Sequence, residues 1–109
     1  MMKEAQSNED FYNFVNENPN VLVEFFATWC PHCHAFQPVL EEASEKMDEQ
    51  GVQIIQCDVD KLQELAGEFN VEATPTIFFM KNGQPVLKNE GALPQAGLFE
   101  FVEQGKEAE

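Results

Sequence analysis

Two cysteines separated by two residues, Cys30 and Cys33, sit in the stretch Trp29-Cys30-Pro31-His32-Cys33-His34. Residues of these types at this spacing serve three chemistries. A CxxC pair can cycle between dithiol and disulfide. A CxxCH run can hold a c-type haem through two thioethers, and two cysteines flanked by histidines can be half of a zinc site. Haem would take His34 as axial ligand. His32 is too close to reach the other face, so a methionine such as Met80 would have to be the second ligand. A structural zinc needs four ligands, and Cys57 is distant in the chain from the pair. The elements around the stretch decide between these.

Upstream, Val21 to Ala27 (VLVEFFA) is apolar on both faces apart from Glu24. That is the pattern of a central strand covered on both sides. Downstream, Phe36, Val39, Leu40, Ala43 and Met47 fall on one helical face. Pro38 interrupts that helix and is expected to kink it, and Gly51 stands where a C′ glycine belongs. The dithiol therefore lies between a strand and the first turn of a long helix. Ser7-Asn8-Glu9-Asp10 has capping-box spacing and opens an earlier helix that buries Phe11, Phe14 and Val15; Asn18-Pro19 ends it. Val52 to Val59 reads as a strand, and Asp60 as the N-cap of a short helix around Leu62 to Phe69. Thr76 to Lys81 and Pro85 to Glu90 form a hairpin around Asn82-Gly83. A last helix from Pro94 to about Gln104 buries Leu98, Phe101 and Val102. The early βαβ unit is expected to be parallel and right-handed, and the hairpin makes the sheet mixed. Residues 1–6 have little β-propensity, and both they and residues 106–109 are expected to fray.

The 109 residues suffice for one domain, 1–109. Apolar and charged fractions of 43% and 24% are ordinary for a globular protein. A net charge of −14 repels phosphate backbones and anionic lipid, so neither nucleic acid nor a membrane surface is an expected partner. The opening residues show no apolar secretory region, so cytoplasmic residence is the expectation, with a periplasmic protein lacking its leader as the alternative. One close cysteine pair in a cysteine-poor chain fits chemistry better than stapling.

With these motifs in this order, the chain resembles the thioredoxin family over residues 8–105. A strand with a buried acid runs into WCxxC, a helix with an internal proline follows, Ala73-Thr74-Pro75-Thr76 looks like the family's cis-proline loop, Lys81-Asn82-Gly83 makes the hairpin, and Gly91 opens the last connection. The chain departs from the family's pattern in several places. Pro31-His32 replaces the usual Gly-Pro and is similar to the pair in oxidising periplasmic members of the superfamily. Glu24 stands for an aspartate, Gln56 for a lysine and Phe26 for a tryptophan, and the first strand is poorly represented. The resemblance implies an α/β thioredoxin fold, with a mixed four- or five-stranded sheet flanked by helices on both faces. It implies a monomeric protein-disulfide oxidoreductase acting on protein disulfides and dithiols. A thioredoxin reductase or another redox partner would recycle it. No cofactor is expected, because the electrons reside in the two sulfurs. The alternative is a non-enzymatic adaptor or holdase that binds peptides at the same groove.

Cys30, at a helix N-terminus, is the expected nucleophile. Unpaired N–H groups and the positive dipole end favour its thiolate, and Pro31 suits the first helical position. Thiol pKa values in such sites fall to roughly 3.5–7.5, a range for which thioredoxin itself is a reference case. Cys33, one turn on, is expected to be buried and protonated, and to resolve the mixed disulfide. Glu24, desolvated among apolar neighbours, is the expected proton acceptor. An imidazolium at His32 would favour the Cys30 thiolate; each pH unit is worth ~1.4 kcal/mol, or about 30 mV of oxidising shift. The resemblance implies that Trp29, Thr74, Pro75 and Gly91 form the substrate rim. Cys57 reads as a small buried hydrophobe with no catalytic part.

Overall fold

The computed structural model describes residues 2–108. In chain order the elements are β1 (Met2–Glu4), α1 (Asn8–Glu17), β2 (Asn20–Phe26), α2 (Pro31–Glu49), β3 (Gln53–Asp58), α3 (Gln63–Glu68), β4 (Thr76–Lys81), β5 (Gln84–Glu90) and α4 (Gln95–Glu107). The strands form one mixed sheet in the order β1-β3-β2-β4-β5. β1 and β2 flank β3 in parallel, and β4 and β5 are antiparallel. The five-stranded sheet flanked by helices is the architecture that the resemblance implied.

Alternation along β2 divides the interior into two layers. Val21, Val23 and Phe25 face α1 and α3, where Phe11, Val15, Leu65 and Ala66 are buried with them. Leu22 faces α2 and α4, against Phe36, Leu40, Ala43, Met47, Leu98 and Val102. Burying each large apolar side chain contributes roughly 1.5–3 kcal/mol. In the first layer Phe69 and Phe78 meet edge to face at 5.2 Å between ring centres, and Phe11 and Phe69 at 5.5 Å. Such pairs add ~0.5–1.5 kcal/mol beyond burial. In the second layer α4 comes so close to β4 that a Cβ on Gly105 would lie 2.2 Å from the Phe79 ring.

Local chemistry explains most of the boundaries. Ser7 Oγ accepts the Asp10 N–H at 3.0 Å, and the Asp10 carboxylate accepts the Gln6 N–H at 2.8 Å, which caps α1. At the end of α2, Gly51 has φ +78; its N–H bonds to the Asp48 carbonyl and that of Val52 to Met47, a Schellman arrangement. Asn82 and Gly83, both at positive φ, turn the β4–β5 hairpin. α2 runs unbroken through Pro38.

Four expectations are corrected. Residues 2–4 form a strand despite their low propensity, because the free edge of β3 pairs with them in register, Met2 opposite Ile54 and Lys3 opposite Ile55. The Ala5 N–H extends that pairing to the Gln56 carbonyl at 2.9 Å. Residues 106 and 107 are helical rather than frayed; the Lys81 ammonium holds the last carbonyls of α4, at 2.8 Å from Ala108 O and close to Lys106 O. Met1 and Glu109 lie outside the described residues. α3 starts later than expected, and Asp60 does not cap it. Asp58 Oδ1 instead accepts the N–H groups of Asp60 and Lys61 in the turn before it. Pro94 is the N-cap of α4 rather than its first helical residue.

Candidate functional site

Cys30 ends the loop after β2 and is itself the N-cap of α2, with Pro31 as first helical residue. Its sulfur takes the place of a capping oxygen: Sγ accepts the Cys33 N–H at 3.3 Å. On the other side the thiol donates to the Thr74 carbonyl at 3.4 Å. Both sulfurs are reduced and nearly covered, Cys30 4% and Cys33 5% exposed. Burial pushes the Cys30 thiol up. Hydrogen bonds to the Cys33 and Thr74 side chains and to the backbone of Cys33 and His32 outweigh it, and the thiol stands below its ordinary value. Cys33 goes the other way, raised first by burial and then by its hydrogen bond to Cys30. Of the two thiols, Cys30 is therefore the one set up to ionise.

Glu24 lies at the middle of β2, on the face that α2 covers, and is 1% exposed. Burial pushes its carboxyl up to about 7, against a smaller lowering by the Gln56 amide. Gln56 stands opposite Glu24 on β3 and its Nε2 donates at 2.8 Å to Glu24 Oε1. The same Nε2 donates at 2.7 Å to Gln37 Oε1 on α2. Glu24 Oε2 has no hydrogen-bond partner among the described residues. Gln37 and Cys33 share a groove of about 370 Å³ with Phe26, Ala27, Thr28, His34 and Pro38. The sequence reading singled out Gln56 but missed Gln37, which is four residues after Cys33 and so on the same helical face.

The rim around Cys30 has a flat apolar side. Trp29 is 70% exposed, and its indole N–H donates to Asp60 Oδ2 at 2.9 Å. Asp60, read from sequence as a helix cap, thus positions the indole; nothing in the local pattern signalled that. A groove of about 180 Å³ runs from Trp29 past Val59 and Val71 to Glu72, Ala73 and Thr74. The Thr74–Pro75 peptide is cis, and the Pro75 carbonyl accepts the Gly91 N–H at 2.8 Å. The predicted rim residues are therefore together, with Gly91 touching the site through the backbone of Pro75. His32 is exposed on the first turn of α2. His34, considered above as an axial ligand, is held at the Thr28 carbonyl by its Nε2. Met80 is buried in the layer with Phe11 and Val15, across the sheet from α2. Cys57 is buried in that same layer, its thiol driven upward by burial.

This geometry recurs in known proteins. The thioredoxin family model matches residues 2–104. Thioredoxin Y, chloroplastic, from Oryza sativa subsp. japonica is 40% identical over 92 residues, which cover 84% of this chain and 54% of that protein. The chain thus spans about half the length of that relative. Thioredoxin-1 of Schizosaccharomyces pombe is 37% identical over 94 residues, covering 86% of this chain and 89% of that one. Among solved structures, Fasciola hepatica thioredoxin superposes with a TM-score of 0.87 at 30% identity, over 95% of this chain and 99% of its own. A mutant thioredoxin from Halobacterium salinarum gives 0.89 at 27% identity, over 99% and 93%. By sequence, by fold and by the close cysteine pair at the head of α2, the chain belongs to the thioredoxin family, whose chemistry is thiol–disulfide oxidoreduction.

Proposed function

We propose that the protein exchanges disulfides with protein substrates through Cys30 and Cys33, with Glu24 as proton acceptor. The Cys30 thiolate attacks one sulfur of a substrate disulfide; a new S–S bond forms, and the other substrate sulfur leaves and takes a proton. Cys33 gives its proton to Glu24 and attacks Cys30 Sγ. The Cys30–Cys33 disulfide forms, the substrate leaves as a dithiol, and two electrons have passed to it. Run backwards, the same steps oxidise a dithiol. The observation that carries this reading is the Cys30 sulfur at the cap of α2, accepting the Cys33 N–H and lowered in pKa while its neighbour is raised.

The extended segment carrying the substrate disulfide lies between Trp29 and the Thr74-Pro75 loop, with Gly91 behind the proline. The exposed apolar surface of Trp29 and the groove that runs from it to Thr74 support this. With His32 beside the thiolate, the couple is more oxidising than with Gly-Pro between the cysteines. We further propose a monomer of one domain working in the cytoplasm with a thioredoxin reductase or another redox partner. The test is trapping: Cys33→Ser accumulates a covalent mixed disulfide with a disulfide-bonded substrate such as insulin, and Cys30→Ser forms none. An adaptor or holdase would bind unfolded peptide equally well as Cys30→Ser and would show no insulin reduction in the unaltered protein.

A further inference from the structure

Four side chains form a continuous hydrogen-bonded line from the surface of α2 to the buried carboxyl. Gln37 Nε2 donates to Glu41 Oε2 at 3.1 Å, Gln37 Oε1 accepts from Gln56 Nε2 at 2.7 Å, and the same Gln56 nitrogen donates to Glu24 Oε1 at 2.8 Å. A carboxylate only accepts, so Glu41 fixes which end of the Gln37 amide points outward. That leaves the Gln37 carbonyl pointing inward, and it must be met by a donor. Gln56 has donors only on Nε2, so its nitrogen is held between Gln37 and Glu24. The inward end is then always a donor, whatever the protonation of Glu24. An oxygen that accepts an N–H is a poor place for a proton; the other oxygen, Oε2, is buried and has no partner among the described residues.

We infer that the Gln37 and Gln56 amides form a directional chain, anchored at Glu41, that reserves Oε2 of Glu24 as the oxygen that carries the proton. Gln37 and Gln56 are positioning residues, and neither bears the proton. With Gln37 gone, the Gln56 amide is free to turn its carbonyl toward Glu24 and accept from the acid, which stabilises the protonated form. The titratable groups that share the Gln37 groove are Cys33 and His34 on α2; β3 adds Cys57, whose thiol the Glu24 charge helps to raise, and Asp58, two residues on from Gln56. β4 places uncharged Ile77 opposite Glu24.

The inference rests on the reading of Glu24 as the base for Cys33 only where it concerns rates. It is tested by infrared difference spectra of the Glu24 acid, with Glu24→Gln to assign the C=O band, and by carboxyl-carbon NMR titration. In the unaltered protein the carbonyl oxygen of the acid accepts from Gln56, which lowers the band. In Gln37→Met the acid exchanges that accepted bond for one donated to the Gln56 carbonyl, so the band moves, and Glu24 titrates about half to one pH unit higher. The pH midpoint for resolving the mixed disulfide moves with it. Gln37→Glu still offers Gln56 only acceptors, so it keeps the band where the unaltered protein has it, even though its charge also raises the titration. A band that stays in place in Gln37→Met, or that moves equally in Gln37→Glu, overturns the inference. If Glu24→Gln resolves mixed disulfides at the normal rate, the base assignment fails, and the infrared comparison still decides the chain.

Discussion

Glu24 makes the reduced protein less stable as the pH rises, by an amount that can be worked out. Its carboxyl titrates at about 7 in the fold and at 4.5 as the reference value. The difference corresponds to about 3 kcal/mol at ~1.4 kcal/mol per unit. Between those two values the unfolded chain has released a proton that the folded chain still holds, so stability falls with increasing pH. The contribution is complete below about pH 4.5 and gone above about pH 7. Most of it, roughly 2–3 kcal/mol, lies between pH 5 and pH 8, a large fraction of the ~5–15 kcal/mol that holds a domain folded. Urea unfolding of the reduced protein, followed by far-UV circular dichroism at half-unit steps from pH 5 to pH 8, measures it. The unaltered protein should lose roughly 2–3 kcal/mol across this range, and Glu24→Gln should be nearly flat. Stability that is level or rising in the unaltered protein, or a slope that survives in Glu24→Gln, refutes the argument that burial holds this carboxyl protonated.

Three further outcomes are expected. Iodoacetamide should alkylate Cys30 with a pH midpoint below that of free cysteine, while Cys33 and Cys57 remain slow; a midpoint at ~8.5 would remove the basis of the mechanism. Replacing His32→Gly should make the couple more reducing, by ~30 mV for each unit that the Cys30 titration rises, as read by glutathione redox titration. An unchanged potential would show that the exposed ring has no part in it. Gly105→Ala drives a methyl into the Phe79 ring and should cost ~1–3 kcal/mol, seen as a lower denaturant midpoint at constant slope.

What could be read from the sequence was what strong local patterns dictate. The run VLVEFFA marked a doubly covered strand, Asn82-Gly83 the hairpin, and Gly51 the end of α2, because each rests on backbone or burial constraints that few other residues meet. The dithiol at a strand–helix junction was legible for the same reason. Where partners lie far along the chain, the reading failed. β1 exists because β3 offers it an edge, and the last turn of α4 holds because Lys81, 25 residues away from Lys106, reaches its carbonyls. Asp60 looked like a helix cap since its type suits one, but its side chain is taken by Trp29. The Gln37–Gln56–Glu24 line joins a helix to two strands, and only the β2–β3 register brings it together.

Both rims of the sheet are blunt. β1 is three residues long and carries Lys3, which is paired with Asp10 at 3.2 Å. β5 carries Pro85 and Lys88, and its pairing with β4 slips at Phe79 and Met80. A short strand, a proline, charged side chains and a bulge all spoil an edge as a template for another chain. The consequence falls near the isoelectric point of about 4.3, where mutual repulsion between molecules vanishes. Crowding there is expected to give amorphous, redissolvable precipitate rather than fibrils, as scored by thioflavin fluorescence, because neither border of the sheet lets a neighbour continue the ladder.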